Sequence, residues 1–246
     1  MAWPQGVGRL LLDTVDSTNE EARRQAAQGA GGPLWIMARR QTAARGRRGR
    51  AWTAPAGNLS ATCLLRPGGP PAQVALVSFA ACLAVAELFE TLAPQATVAL
   101  KWPNDALLNG RKAAGVLLES AGAGARVDWL AVGVGVNLAH HPDPEPDAWP
   151  ATSIARETGA APEPEAALAT LATAFARWSG RLEAEGFAPL RAAWLARAAR
   201  LGQKVTARLP DATVEGVFAD LDAGGALVLS QGGAMRRIHA ADVYFS

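Results

Sequence analysis

Arg45, Arg47, Arg48 and Arg50 place four guanidinium groups within six residues, spaced by Gly46 and Gly49, with Gln41 before them and Trp52 after. A guanidinium holds an oxyanion through two parallel hydrogen bonds, and glycine lets backbone N–H groups approach the same anion. Such a loop suits a phosphate-bearing ligand best. Two other occupants also fit: single-stranded nucleic acid, with Trp52 stacked on a base, or plain solvent around a basic loop. A second block, Lys101-Trp102-Pro103-Asn104-Asp105, is joined through Asn109-Gly110 to Arg111-Lys112-Ala113-Ala114-Gly115. Asn-Gly between apolar runs marks a two-residue hairpin, and a hairpin returns Lys112 beside Lys101 and Asp105. Two ammonium groups could then neutralise a reacting carboxylate and a phosphate together, with Asp105 on magnesium directly or through water. The other reading is a surface hairpin with a salt bridge. Gly133-Val134-Gly135-Val136-Asn137 exposes backbone beside one amide that could meet a base edge, but it lacks the full dinucleotide fingerprint and its helix.

The composition concentrates attention on these blocks. Of 24 basic residues only Lys101, Lys112 and Lys204 are lysine, and asparagine occurs only at 19, 58, 104, 109 and 137. A chain so rich in Ala, Arg, Gly and Pro keeps Lys and Asn where their geometry matters. Cys63 and Cys82 have neither metal-ligand nor redox spacing and read as core. His140, His141 and His239 offer no metal pair and no partner for a nucleophile, which argues against zinc chemistry and catalytic triads. A net charge of +2 gives no global signal for nucleic acid.

At 246 residues and half hydrophobic, the chain can bury a large core. Val74 to Phe89, the longest apolar stretch, is interrupted by Ser78 and Glu87 and falls short of the roughly 20 residues that span a bilayer. No membrane segment is expected. No signal peptide is visible from Met1 to Arg9, so the expected compartment is the cytoplasm.

The elements that must position the three blocks follow from periodicity. Arg9 to Val15 reads as a strand, and Ser17 and Glu20 stand at capping-box spacing for a helix to Gln28. Strands are expected over Leu34 to Met37, Leu59 to Leu65, Val98 to Trp102, Ala106 to Leu108, Lys112 to Glu119 and Asp128 to Val136. Residues 72 to 93 carry apolar side chains at spacings of three and four and predict an amphipathic helix. A loop with Pro142, Pro144, Pro146 and Pro150 precedes helices from Glu163 to Glu185 and Phe187 to Ala199. This irregular mixture predicts an α+β fold with a mixed sheet, not a doubly wound one. After Leu201-Gly202 come short alternating runs, Lys204 to Leu209, Thr213 to Leu221, Ala226 to Ser230 and Met235 to Tyr244, punctuated by Pro210-Asp211, Gly224-Gly225 and Gly232-Gly233. They predict a small SH3-like β-barrel. The expected domains are thus 1–200 and 201–246.

Taken in order, the blocks resemble those of biotin protein ligases: Ser17-Thr18-Asn19, Gln41 with Arg45 to Arg50 and Trp52, Lys101 to Asp105 with Arg111 to Gly115, Gly133 to Asn137, and Ala151-Thr152-Ser153-Ile154. The resemblance spans nearly the whole chain, and the arginine loop with the Lys-Trp-Pro-Asn-Asp block is highly specific. It implies a catalytic domain akin to class II aminoacyl-tRNA synthetases, with a small final domain. It implies an enzyme that joins biotin and ATP into an adenylate, with magnesium, and passes biotin to a lysine of a biotin carboxyl carrier domain.

Residue by residue, it implies a biotin site at Ser17, Thr18, Asn19 and Gln41, its polar end completed by Arg45, Gly46 and Gly115. Arg47 would hold the biotin carboxylate and α-phosphate together, and Lys112 would stabilise charge on the transferring group. Arg50, Trp52, Lys101 and Asn137 would line the nucleotide side, with Asp105 and Asn104 near magnesium. Ser17 and Thr18 keep a simpler alternative as helix caps. Glycines in the arginine loop suggest that it closes over the adenylate. Ala44 stands where family members often have glycine, which restricts loop opening but keeps every charge. The pattern begins within about fifteen residues of Met1, so no winged-helix domain and no DNA partner are expected; the state is monomer or homodimer. Lipoate ligases resemble the same fold, and a nucleic-acid-binding module is the alternative of another class. That module predicts binding that falls with salt and needs no ATP.

Overall fold

The computed structural model describes residues 3–143, 149–209, 212–239 and 242–245. Met1, Pro144, Pro146 and the Pro210-Asp211 turn lie outside the described residues. Strands β1 (Gly8–Val15), β2 (Leu34–Gln41), β3 (Leu59–Leu65), β4 (Val98–Lys101), β5 (Asp105–Leu108), β6 (Arg111–Ala121) and β7 (Trp129–Val136) form one sheet in the order β1-β2-β3-β7-β6-β5-β4. Only β1 and β2 run parallel, because helix α1 (Thr18–Ala27) carries the chain back between them; the remaining neighbours are antiparallel. The mixed sheet bears out the α+β expectation.

Alternation along each strand decides what lies on each face. Trp35, Met37, Cys63 and Val132 belong to the main core, together with α3 (Val77–Leu92) and α5 (Pro164–Glu185). Ile36, Leu64 and Ala131 point the other way, against Ala22 and Ala26 of α1. The sheet is thus covered by α3 and α5 on one face and by the short α1 on part of the other, and the uncovered part of that second face holds the pocket described below.

The helix expected over residues 72–93 is divided into α2 (Pro71–Val74) and α3, with a tight turn at Ala75-Leu76. Helix α3 is buried against the sheet on one side and α5 on the other, so its apolar surface is wider than an amphipathic stripe. Within the 22-residue stretch Pro71–Leu92, 18 residues with mean hydropathy 2.0 reach the length and composition of a membrane span, a longer run than the one read from the sequence. Its burial accounts for that hydropathy as core. Cys63 and Cys82 are also fully buried here, and desolvation pushes both thiols well above their ordinary range because burial disfavours the thiolate. Neither is expected to react with an aromatic disulfide reagent at mildly alkaline pH until denaturant unfolds the chain; rapid colour release from native protein would contradict that.

Ser17 occupies the N-cap position of α1 but its side chain makes no capping bond, and Glu20 turns instead to Arg23 and Arg45. The capping box is therefore not formed. Strand β2 runs four residues beyond the expected Met37 and carries Gln41 on its end. A short helix absent from the sequence reading, α4 (Ile154–Thr158), is capped by Ser153, whose hydroxyl accepts from the Arg156 N–H. Helix α6 (Phe187–Leu195) ends before the expected Ala199.

Strands β8 (Lys204–Arg208), β9 (Thr213–Leu221), β10 (Leu227–Gln231), β11 (Ala234–Ile238) and β12 (Asp242–Phe245) form a five-stranded antiparallel sheet in the order β11-β10-β9-β8-β12. Met235 to Tyr244 is thus two strands, not one. The strand number suits an SH3-like unit, but among the described residues β11 and β12 do not pair to close a barrel. This sheet is fastened to the larger one by aromatic packing of Trp194 on Phe79 and Phe218, and by a buried hydrogen bond from Trp102 Nε1 to the Gly225 carbonyl at 3.0 Å. The Trp of the Lys-Trp-Pro-Asn-Asp block is therefore a strut between sheets.

Candidate active site

On the face that α1 leaves open, β6 and β7 pair Gly115 with Gly135 and Leu117 with Gly133, so the floor is nearly bare backbone. A cavity of about 410 Å³ opens above it, within the size range of small-molecule sites. It is lined by every residue expected at the site: Ser17, Thr18, Asn19, Gln41, Arg45, Gly46, Arg47, Arg50, Trp52, Lys101, Asn104, Asp105, Lys112, Gly115 and Asn137. Arg48 is not among them; it sits at φ 56 on a short turn at Arg47–Gly49.

The hairpin forms as its sequence predicts. Asn109 and Gly110 both take positive φ, 48° and 77°, the two left-handed positions of a type I′ turn. Strand β6 thereby returns Lys112 to Asp105, with Nζ 2.6 Å from Oδ1, while Lys101 Nζ stands 3.6 Å from Oδ2. Among the described residues, Asp105 Oδ1 has no hydrogen-bond donor besides that ammonium. Lys112 Nζ also lies 5.5 Å from the centre of the Trp52 ring, and Lys101 Nζ is 5.5 Å from that of Trp149. The rim carrying Trp149 is held by backbone: Lys112 N–H donates to Pro150 and Thr152 N–H donates to Lys112.

The arginine loop is closed on itself. Gly46 N–H donates to Arg50 at 2.7 Å, Trp52 N–H donates to Ala44 at 3.1 Å, and Arg45 bridges to Ala51. Its four guanidiniums do not act as one cluster. Arg45 is turned away from an anion role: it is paired to Glu20 and, at 3.1 Å, to Glu119. Glu20 is the first cause that raises the pKa of Arg45, and Arg23 and then Arg45 hold the Glu20 carboxyl below its ordinary value. Arg47 reaches toward Asn104 Oδ1 at 3.5 Å and, like Arg50, faces the cavity.

At the opposite end Gln41 Oε1 accepts from the Thr18 N–H at 2.7 Å and from its hydroxyl at 3.2 Å. Thr18 is therefore not a helix cap but part of a buried polar lattice with Asn19 and Thr62.

For three of these expectations the local contacts add detail. Asn137 lines the cavity but is 2% exposed, and its amide donates to the Thr152 carbonyl at 3.0 Å, so that N–H braces the rim. The whole loop does not wrap one anion, because Arg45 is spent on carboxylates. Asp105 and Asn104 do not fit a resident magnesium site. The carboxylate carries two ammonium groups, while Asn104 donates its amide to the Val116 carbonyl and turns Oδ1 to Arg47. No group of three or more metal-binding side chains occurs among the described residues.

Sequence reasoning missed Thr62, Glu119, Trp149, Tyr244 and Asn58. Thr62 and Glu119 stand in apolar strands where only their polarity marks them, and Tyr244 reaches the cavity from the smaller sheet. Asn58 was visible only through the scarcity of asparagine. Its Oδ1 accepts from the N–H groups of Leu138, Ala139 and His140, and its Nδ2 donates to His140. Those bonds turn the chain sharply after Asn137. Asn58→Ala leaves three donors unpaired and is expected to cost at least about 2 kcal/mol by denaturant unfolding, whereas an unchanged midpoint would remove Asn58 from this role.

Residues 11–137 match the biotin/lipoate A/B protein ligase family, and residues 201–246 match the biotin protein ligase C terminal domain. The chain is 50% identical to a biotin–[acetyl-CoA-carboxylase] ligase of Paracoccus denitrificans, over 96% of this chain and 99% of that protein. It is 30% identical to the bifunctional ligase/repressor BirA of Escherichia coli, over 92% of this chain and 70% of that one. Among solved structures, the biotin protein ligase of Aquifex aeolicus in complex with biotin and ATP superposes with a TM-score of 0.83 at 26% identity, covering 97% of this chain and 99% of that one. The Leishmania major ligase in complex with biotinyl-5-AMP gives 0.67 at 27%, covering 96% and 100%. The mixed sheet with its glycine-floored cavity, together with both family matches, defines a ligase class of protein. The chain belongs to the biotin protein ligase family.

Proposed function

We propose that this chain activates biotin with ATP and transfers it to a lysine of a biotin carboxyl carrier domain of a carboxylase. The carrying observation is the convergence of Lys112, Lys101, Arg47 and Arg50 on one glycine-floored cavity whose far end is the Thr18–Gln41 lattice. In the first step a carboxylate oxygen of biotin attacks the α-phosphorus of ATP, the bond to the β-phosphate bridging oxygen breaks, and pyrophosphate leaves. Both reactants are anionic, so the protein's task is to neutralise and align them. Arg47 spans the carboxylate and α-phosphate, and Lys112 takes up charge on the transferring group. Arg50, Lys101 and Trp52 border the triphosphate side. Thr18, Asn19 and Gln41, with Ser17 and backbone at Arg45, Gly46 and Gly115, hold the uncharged end of biotin. In the second step the acceptor ε-amine attacks the acyl carbon, AMP departs, and the nitrogen sheds its proton.

Magnesium enters as the counter-ion of the ATP substrate, in keeping with the crowded surroundings of Asp105 and Asn104. Residues 1–200 act as the catalytic domain, and residues 201–246 form a smaller unit whose Val243-Tyr244 strand borders the cavity. The free thiols and the use of ATP favour a cytoplasmic setting. The curated relatives favour biotin over lipoate, and the pairing of Arg45 with carboxylates weakens the nucleic-acid alternative. The test is mass analysis of a carrier domain incubated with the protein, biotin and magnesium-ATP. One biotinyl group on one lysine is expected; an unmodified carrier with folded protein overturns the transfer step.

A further inference from the structure

Beneath the arginine loop, the residues assigned to biotin are joined to Glu119, a carboxylate to which the adenylation steps give no role. Glu119, on the pocket side of β6, gives each carboxylate oxygen to a different donor. Its Oε2 accepts from Asn19 Nδ2 at 2.7 Å, and its Oε1 accepts from Arg45, with Nη2 at 3.1 Å and Nε at 3.3 Å. Beyond Asn19 the contacts continue inward. Asn19 Oδ1 is 2.6 Å from the Thr62 hydroxyl, Thr62 is 2.8 Å from Thr18 Oγ1, and the Thr18 N–H donates to Gln41 Oε1 at 2.7 Å. Thr62 is wholly buried, and Asn19 packs so tightly on the floor that a Cβ at Gly133 would meet its Oδ1 at 2.4 Å. The lattice has no slack.

The charge on Glu119 sets the direction of these bonds. An ionised carboxylate only accepts, so it turns the Asn19 amide with Nδ2 toward itself and Oδ1 toward Thr62, which must then donate. The same charge, with Glu20 on the other side, neutralises Arg45 and anchors the start of the loop that carries Arg47 and Arg50.

We propose that Glu119 is a positioning residue that couples the acid-binding end of the pocket to the arginine loop, through Asn19 on one oxygen and Arg45 on the other. This rests on the adenylation reading above. Glutamine in its place keeps the size but presents an NH₂ group to one of the two donors, so either the Arg45 link is lost or the Asn19 amide must turn over and present Nδ2 to Thr62, and the direction of the chain is no longer fixed. Aspartate keeps the charge but is too short to reach both partners.

The test compares Glu119→Gln with one variant on each arm, measuring kcat, both KM values and melting temperature in biotin-dependent pyrophosphate release. Asn19→Ala is expected to raise chiefly the KM for biotin, and Arg45→Gln chiefly the KM for ATP. Glu119→Gln is expected to raise both, by about tenfold each, the scale of one lost charge-assisted hydrogen bond. A rise in only one KM, or a lower melting temperature with both KM values unchanged, overturns the coupling. Should Glu119→Gln not fold, Glu119→Asp is judged by the same criterion. If the wild type releases no pyrophosphate with biotin, the adenylation reading fails by itself. The coupling is then read from calorimetric titrations of the same variants with biotin and with magnesium-ATP separately, and absence of binding to the wild type overturns it too.

Discussion

Lys112→Ala is expected to slow adenylate formation by about 10²- to 10³-fold, the usual effect of removing one preorganised charge from a transition state. The ammonium lies 2.6 Å from Asp105 and over Trp52, at the mouth of the cavity floor. Its side chain is 29% exposed, so the fold does not depend on it; Lys101, at 3.6 Å, remains beside Asp105. The stability cost is accordingly put at no more than about 1–2 kcal/mol, below that of breaking a fully buried pair. Lys112→Arg should not restore the rate, because a planar fork cannot take the place of a compact ammonium packed between a carboxylate and an indole. Single-turnover formation of the adenylate, followed with a denaturation curve, separates the two effects. Full activity in Lys112→Ala would remove this residue from the mechanism.

Gly135→Ala should be the most damaging single methyl group in the site. Gly135 does not take a left-handed φ, so alanine's backbone is tolerated and the conflict is one of space. An added Cβ would stand 2.6 Å from Trp52 Nε1 and 2.7 Å from Cε2, contacts that a rigid indole can relieve only by moving as a whole. Moving Trp52 displaces the ring under Lys112 and strains the loop that Trp52 N–H ties to Ala44. Overpacking of this kind costs about 1–3 kcal/mol, and displacing a positioning group by about an ångström lowers turnover roughly 10²-fold. Gly180→Ala is the control: it lies inside α5 with nothing within 4 Å, and alanine there should stabilise by about 0.5–1 kcal/mol. Normal turnover by Gly135→Ala would mean that Trp52 is free to shift without consequence.

These two residues mark what a sequence makes legible. Lys112 could be placed beside Asp105 because Asn109-Gly110 fixes the hairpin locally, and the strand spacing then does the rest. Gly135 was read as backbone exposed to a ligand, and its close approach turns out to be to Trp52, a side chain 83 positions away that only the folded sheet brings there. The same limit explains Arg45. Its type and spacing place it in an anion-binding cluster, but Glu20 and Glu119 reach it from α1 and β6, and neither carries a local signal. Strand existence was legible from alternation, strand ends less so. Nothing in Leu34 to Met37 announces that pairing with β1 continues to Gln41, since Arg39 and Arg40 interrupt the apolar pattern while the backbone ladder goes on. The break between α2 and α3 falls in an apolar run whose spacing is helical throughout.

The reaction itself is tested most directly by exchange of labelled pyrophosphate into ATP, which reports adenylate formation without an acceptor. With biotin present the label should enter ATP, at a rate that vanishes when the acid is omitted and is not restored by lipoate. Exchange that follows lipoate and ignores biotin, or none with either acid on folded protein, would contradict the assignment of this cavity to biotin activation.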